Sequence, residues 1–380
     1  MQEQQKNYTQ KDYLSLHPVE RRIFNMMAPQ NGVVMLQGKP GMAKTAIIRS
    51  IAKKLKMQFF EFALTHIDSA DLGGLPVIDR SGEDPTMTYA INDWAIKANE
   101  APSILFFDEA NRPSDEVINA LLKLFEGHIG LNFKFNKNVY MVSAGNLGMD
   151  EDGTTVTALD SAMNNRIIHI PFKLTIKDWV QNFARENVHP LIISFIENHK
   201  EHFHHMVESQ DIYASPRSWT MFSDYLTYHQ IEELEEVKTV AFDICNRYIG
   251  DYSTAAFKMY LDSLLAARIP TMEEIVSKGH KLKSELKDLN FAQFSYIVNS
   301  FNIDAIKNAG ERELETFMDM LTDDQIATMY SRVITEVVKS TKSDNDPDYT
   351  KIGDAQYHHF LVVVPENAEE RKQQIVDVIV

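Results

Sequence analysis

Residues Gly38–Thr45 read Gly-Lys-Pro-Gly-Met-Ala-Lys-Thr, between a short apolar run, Gly32–Gln37, and a helical pattern from Lys44 to Leu55. A strand that turns through a Gly/Pro loop directly into a helix opens an α/β unit. The loop follows the phosphate-binding pattern GxxxxGK[ST] except in its sixth place, where Ala43 stands for glycine. Gly38 and Gly41 let the backbone turn tightly and aim its N–H groups at phosphate oxygens. Lys39, Pro40 and Met42 complete the cradle, and the start of the next helix adds partial positive charge. Lys44 would reach the β- and γ-phosphates of a nucleotide, and Thr45 would hold Mg²⁺.

Further apolar runs follow at Met57–Phe62, Ile104–Phe107, Val139–Ala144 and Ile167–Ile170, separated by helical segments. Continuous apolar runs alternating with helices predict a parallel sheet covered on both faces. After Phe172 long helical patterns dominate and strand-like runs nearly vanish. The expected order is an N-terminal helical segment over 1–30, with a helix around Pro18–Met27, and a three-layer α/β/α domain over 31–172. An all-α domain over 173–268 comes next, then a mostly helical C-terminal extension over 269–380. That extension contains a polar linker, Thr341–Tyr349, and one strand-like run, Phe360–Val364.

Composition narrows the function classes. With 44% hydrophobic and 24% charged residues, the chain is ordinary for a globular protein. A net charge of −16 and the lack of a long basic run argue against binding a phosphate backbone. The one cysteine, Cys245, cannot form an internal disulfide and fits a reducing compartment. The polar N-terminus has no apolar core of the signal-peptide kind, and no run reaches the roughly 18 apolar residues that span a bilayer. A soluble, cytoplasmic protein is expected. His199, His202, His204 and His205 are spaced as metal ligands can be, but the polar helical segment around them reads as a solvated helix face.

The run Ile104–Phe107 ends in Asp108 and Glu109. A buried strand that ends this way sets both acids at the carboxyl edge of the sheet, where open α/β folds bind ligands. Asp108 would contact the Mg²⁺ shell, and Glu109 would orient and deprotonate an attacking water.

GKPGMAKT with alanine in the sixth place, followed by FFDEANRPSDEVINALLKLFE, resembles the MoxR branch of the AAA+ ATPases. Asn111 and Arg112 match the Asn-Arg that follows the acidic pair in that branch, and the likeness covers roughly residues 30–230. It implies a Mg-ATP-hydrolysing machine in which the all-α domain is a lid. It also implies a homo-oligomeric ring, taken as a hexamer, that remodels a client protein and often works with a separate von Willebrand factor A domain partner. Asn146 matches the sensor-1 residue, Arg166 the arginine finger that acts on a neighbouring subunit, and Arg217 the sensor-2 residue of the lid. Outside that pattern Asn146 reads as a turn residue, and both arginines read as surface ion-pair residues. Arg112 is either a second interface arginine or the partner of a neighbouring acid. The Gly-rich loop Asp71–Val77 and the segment Gly127–Phe135 resemble pore elements that grip a partner, or else they pack against a neighbouring subunit.

Other readings are a nucleic-acid-directed motor or loader, a weakly hydrolysing nucleotide-binding scaffold, and a phosphotransferase. The acidic charge disfavours the first. The joint presence of Lys44, Asp108, Glu109 and Arg166 disfavours the second, and the third does not account for Arg166 and Arg217.

Overall fold

The computed structural model describes residues 8–27, 32–81, 84–149, 154–157, 159–206, 212–266, 268–278, 281–301, 303–306, 317–322, 325–326, 328–329 and 332–333. The linker Thr341–Tyr349 and the run Phe360–Val364 lie outside them. The chain divides into two units, 1–178 and 179–380.

In the first unit, helices α1 (Gln10–Leu14) and α2 (Pro18–Met26) precede the first strand. Five strands form one parallel sheet. These are β1 (Val33–Gln37), β2 (Gln58–Ala63), β5 (Ser103–Asp108), β8 (Val139–Gly145) and β9 (Ile167–Pro171), in the spatial order β2-β5-β8-β1-β9. Each matches an apolar run of the sequence. The central strands have no solvated face, so Val33–Leu36 and Ile104–Phe107 are all buried.

Side chains alternate across the sheet and find helices on both sides. Phe59 and Phe106 stack at 6.1 Å on one face, where Arg49 of α3 (Lys44–Lys54) lies 5.6 Å over the Phe59 ring. Phe62 and Phe107 stack at 5.3 Å on the other. There Phe62 meets Trp94 of α5 (Asp93–Glu100), and Phe107 meets Phe125 of α6 (Asp115–Phe125). The N-terminal helix α2 is fastened to α3 by Glu20, a buried carboxylate that accepts from Ser50 Oγ at 2.6 Å and pairs with Lys54 Nζ at 2.7 Å.

Two small hairpins interrupt this plan, and both segments read as loops in the sequence. Asp71–Gly73 belongs to a short helix, α4 (Ser69–Gly73), whose Leu72 is fully buried. Leu75–Asp79 (β3) then pairs with Thr86–Ala90 (β4). Within 127–135, His128–Ile129 (β6) pairs with Phe133–Lys134 (β7). Leu75, Val77, Ile78, Met87 and Leu131 are exposed on these hairpins. No position of β3 or β4 is buried, and β6 and β7 are only two residues long, so neither hairpin carries an apolar alternation long enough to read as strands. The two hairpins meet where the ring of Tyr89 lies so close to Gly130 that a Cβ there would come within 2.8 Å.

The described part of the second unit is helical, apart from one isolated bridge between His205 and Ala214. Its helices include α8 (Pro190–Asn198), α9 (Pro216–Tyr228), α10 (Leu234–Asp243), α11 (Asn246–Leu265), α12 (Met272–Lys278), α13 (Lys283–Lys287) and α14 (Phe291–Ser300). Phe195, Trp219 and Phe257 form one aromatic centre, and residues from Met272 to Val333 form a second apolar cluster. Cys245 is buried, and burial pushes its thiol up to about 12, which makes it unreactive.

The histidine stretch is not a solvated helix face. His202 is 3% exposed, its Nδ1 lies 2.9 Å from Ser253 Oγ, and its ring stacks on Tyr252, as does that of His205. No group of three or more potential ligands is poised for a metal among the described residues. Burial holds the His202 imidazole below its ordinary pKa, with His205 and His199 adding to the effect and Glu201 opposing it. The unfolded chain therefore takes up this proton first as pH falls. The stabilisation is full above the ordinary histidine pKa and is lost as pH drops towards the folded value. A melting temperature lower at about pH 5.5 than at about pH 7.5 is expected, with a shallower dependence in His202→Gln. Equal slopes in the two proteins would remove His202 as a cause.

Candidate active site

β5, β8 and β1 are neighbours in the sheet, so their carboxyl ends bring three segments to one edge. β1 delivers the Gly38–Thr45 loop, β5 the acids Asp108 and Glu109, and β8 Asn146.

The loop folds as its residue types require. Gly41 has φ +76° and Ala43 φ +59°, both left-handed. Gly38 admits no Cβ, which would sit 2.5 Å from the Phe172 carbonyl oxygen. Ala43 precedes α3 in the conformation that glycine occupies more cheaply, so it is a tolerated stand-in that carries strain of roughly 1 kcal/mol. Ala43→Gly is expected to leave nucleotide affinity unchanged and to raise stability by less than about 1 kcal/mol, since glycine also loosens the unfolded chain. A thermal melt beside a binding titration checks this, and loss of affinity would show that the methyl group has a further purpose.

The Lys44 ammonium is buried and donates to the carbonyls of Gly38 at 2.6 Å and Lys39 at 3.0 Å, and to Asn146 Oδ1 at 3.4 Å. The Thr45 hydroxyl donates to Asp108 Oδ2 at 2.9 Å. Lys39 is exposed, whereas Met42 is buried. This donor set suits a polyphosphate with a divalent cation. One ammonium and the first amides of a helix lie beside a paired hydroxyl and carboxylate.

Glu109 has φ +56°, a strained conformation for a side-chain-bearing residue, at the end of β5. Its carboxylate accepts from Arg112 Nη1 at 2.8 Å and from Thr65 Oγ1 at 2.9 Å. Arg112 thus pairs with a neighbouring acid of its own chain. Thr65 gave no signal in the sequence, because only the β2–β5 pairing brings it to Glu109.

Asn146 is 7% exposed, and the Asn111 side chain binds its backbone N–H and carbonyl. Arg166 lies elsewhere. Its carbonyl accepts from Val33 N at the start of β1, so it sits at the amino edge of the sheet. The length of β1, about 16 Å, separates it from the loop of its own chain. Its guanidinium pairs with Glu126 and donates to the Ala162 carbonyl at 2.7 Å. Arg166 in turn holds the Glu126 carboxyl below its usual range. Glu126 is a second residue that sequence spacing could not pair. Arg217 is exposed in the first turn of α9 in the second unit, after an N-cap in which Ser215 accepts from Ser218 N at 3.2 Å.

Comparisons with known proteins bear on one part of the chain. Residues 34–171 match the model of the ATPase family associated with various cellular activities (AAA). No curated protein matches the sequence. Among solved structures, a presumed ATPase from Cytophaga hutchinsonii aligns at 17% identity, over 68% of this chain and 90% of that one. Its TM-score is 0.29, a likeness too weak to argue from. No helix among the described residues is long and apolar enough to cross a membrane. The parallel sheet and the family match together make residues 34–171 an AAA-family ATPase domain.

Proposed function

We propose that this domain hydrolyses Mg-ATP within a homo-oligomeric ring, hexameric on the family pattern, and spends the cycle on remodelling partner proteins. The observation that carries the reading is the meeting of Lys44, the Thr45–Asp108 pair, Glu109 and Asn146 at one sheet edge. Lys44 takes the β- and γ-phosphates, and Thr45 with Asp108 holds Mg²⁺. Bound Mg-ATP supplies the phosphoanhydride and a cation that neutralises charge on its oxygens. Glu109 accepts the proton of the attacking water, and Asn146 orients that water.

Arg166 cannot reach its own loop from the amino edge of the sheet, which supports a role on the neighbouring subunit's nucleotide. Arg217 is proposed on the family pattern alone as the residue through which the helical unit responds to the γ-phosphate. Ala43 with Asn111-Arg112 supports the MoxR branch, and with it a separate von Willebrand factor A domain partner. The exposed Leu75, Val77, Ile78, Met87 and Leu131 suit hairpins that grip an apolar stretch of a client.

A second reading, a weakly hydrolysing scaffold, is favoured by the hold of Arg112 and Thr65 on Glu109. ATPase rate against protein concentration, with and without Mg²⁺, separates the two. A Mg²⁺-dependent specific activity that rises with concentration is expected. A flat or absent rate would favour the scaffold.

A further inference from the structure

Asn111 lies two residues beyond Glu109, and its side-chain hydrogen bonds go to Asn146, so that it joins two of the strand ends that build the site. Ala110 N donates to the Ala144 carbonyl at 2.8 Å and so extends the β5–β8 pairing past the acids. The Asn111 side chain then makes a two-way bridge. Its Nδ2 donates to the Asn146 carbonyl at 2.8 Å, and its Oδ1 accepts from Asn146 N at 3.2 Å. Both residues are buried, at 5% and 7% exposure. Between them Gly145 leaves no slack, since a Cβ there would come within 2.9 Å of Asn111 Oδ1 and 2.2 Å of Met35 Cε. Asn146 passes the constraint on, because its Oδ1 faces the Lys44 ammonium at 3.4 Å.

We infer that Asn111 is a positioning residue for ATP hydrolysis, setting the place of the Asn146 carboxamide relative to Glu109 by clamping the Asn146 backbone to the end of β5. The inference rests on the ATPase reading above. The residue type is specific. A carboxamide offers one donor and one acceptor in a single plane, matching the C=O and N–H of one residue. A carboxylate would turn an oxygen towards the Asn146 carbonyl, and alanine would leave both buried backbone groups unpaired. Asn111 acts through Asn146 alone, so its effect on turnover vanishes once the Asn146 side chain is gone. Its contribution to stability does not vanish, because the backbone bridge survives Asn146→Ala.

The test is a double-mutant cycle in the full chain, with Asn111→Ala, Asn146→Ala and the double variant. It reads kcat, KM for ATP, affinity for a non-hydrolysable ATP analogue, and melting temperature. Asn111→Ala is expected to lower kcat about 10- to 100-fold, with KM and analogue affinity within about threefold. In the Asn146→Ala background the same change should alter kcat less than about twofold, while lowering the melting temperature as much as it does in the wild type. Asn111→Asp should be at least as slow as Asn111→Ala. Asn111→Ser, which keeps a hydroxyl towards Asn146 N, takes the place of Asn111→Ala in the cycle if the latter does not fold. Equal kcat losses in both backgrounds, or no loss in a folded single variant, overturns the proposal and leaves the ATPase reading standing. Absence of turnover in the wild type overturns both.

Discussion

Glu109→Gln is expected to bind ATP with unchanged affinity and to hydrolyse it about 10²- to 10⁴-fold more slowly, the usual worth of a positioned general base. The substitution keeps shape and removes the ability to take a proton. Binding should survive because the residues proposed to hold phosphate and cation are others: Lys44, which donates to the loop carbonyls, and Thr45 with Asp108. The fold should survive as well. The glutamine oxygen can still accept from Thr65 or Arg112, and the lost ion pair with Arg112 is partly solvated, where such pairs contribute little. Single-turnover hydrolysis beside a binding titration gives both quantities. Normal turnover would sink the assignment of Glu109 as base, whereas loss of binding would mean that its strained backbone at φ +56° also shapes the pocket.

The second large effect concerns Arg166. Arg166→Ala should leave nucleotide binding nearly intact and lower hydrolysis about 10³- to 10⁵-fold, the range for a missing arginine finger. Lys44→Ala should lose binding, because it removes the buried ammonium that is hydrogen-bonded to the Gly38 and Lys39 carbonyls of the loop. Alone, both variants are inactive. Mixed in equal amounts, they should recover activity, since about a quarter of the head-to-tail interfaces join an intact Lys44 site to an intact Arg166. The geometry gives the reason: within one chain the two residues stand at opposite edges of the sheet. Arg166 must also leave Glu126 to act, so Glu126→Ala is expected to tolerate hydrolysis where Arg166→Ala does not. Absence of rescue in the mixture would argue against a site shared between subunits.

Much of this protein was legible along the chain. The central strands β1 and β5 read as continuous apolar runs because a strand buried on both faces has no polar alternation, and the edge strands β2 and β9, though partly exposed, are still mostly apolar. The loop was legible because Gly38, Gly41, Lys44 and Thr45 are contiguous, and contiguous residues carry their geometry in their own torsions. The acids at 108 and 109 were legible for the same reason.

What stayed hidden involves distance along the chain. Thr65 on Glu109, Glu126 on Arg166 and Asn111 on Asn146 join residues 44, 40 and 35 positions apart. His202 looked solvated because Ser253, its buried partner, lies 51 residues on. The hairpins hid for a different reason, since β3 and β4 have no buried position and β6 and β7 are two residues each, too little for a period in the sequence. Residue types therefore specified the local conformations and the groups able to bind a nucleotide. The order β2-β5-β8-β1-β9 specified which of those groups meet. That order comes from packing helices on both sheet faces, a non-local condition that no single segment contains.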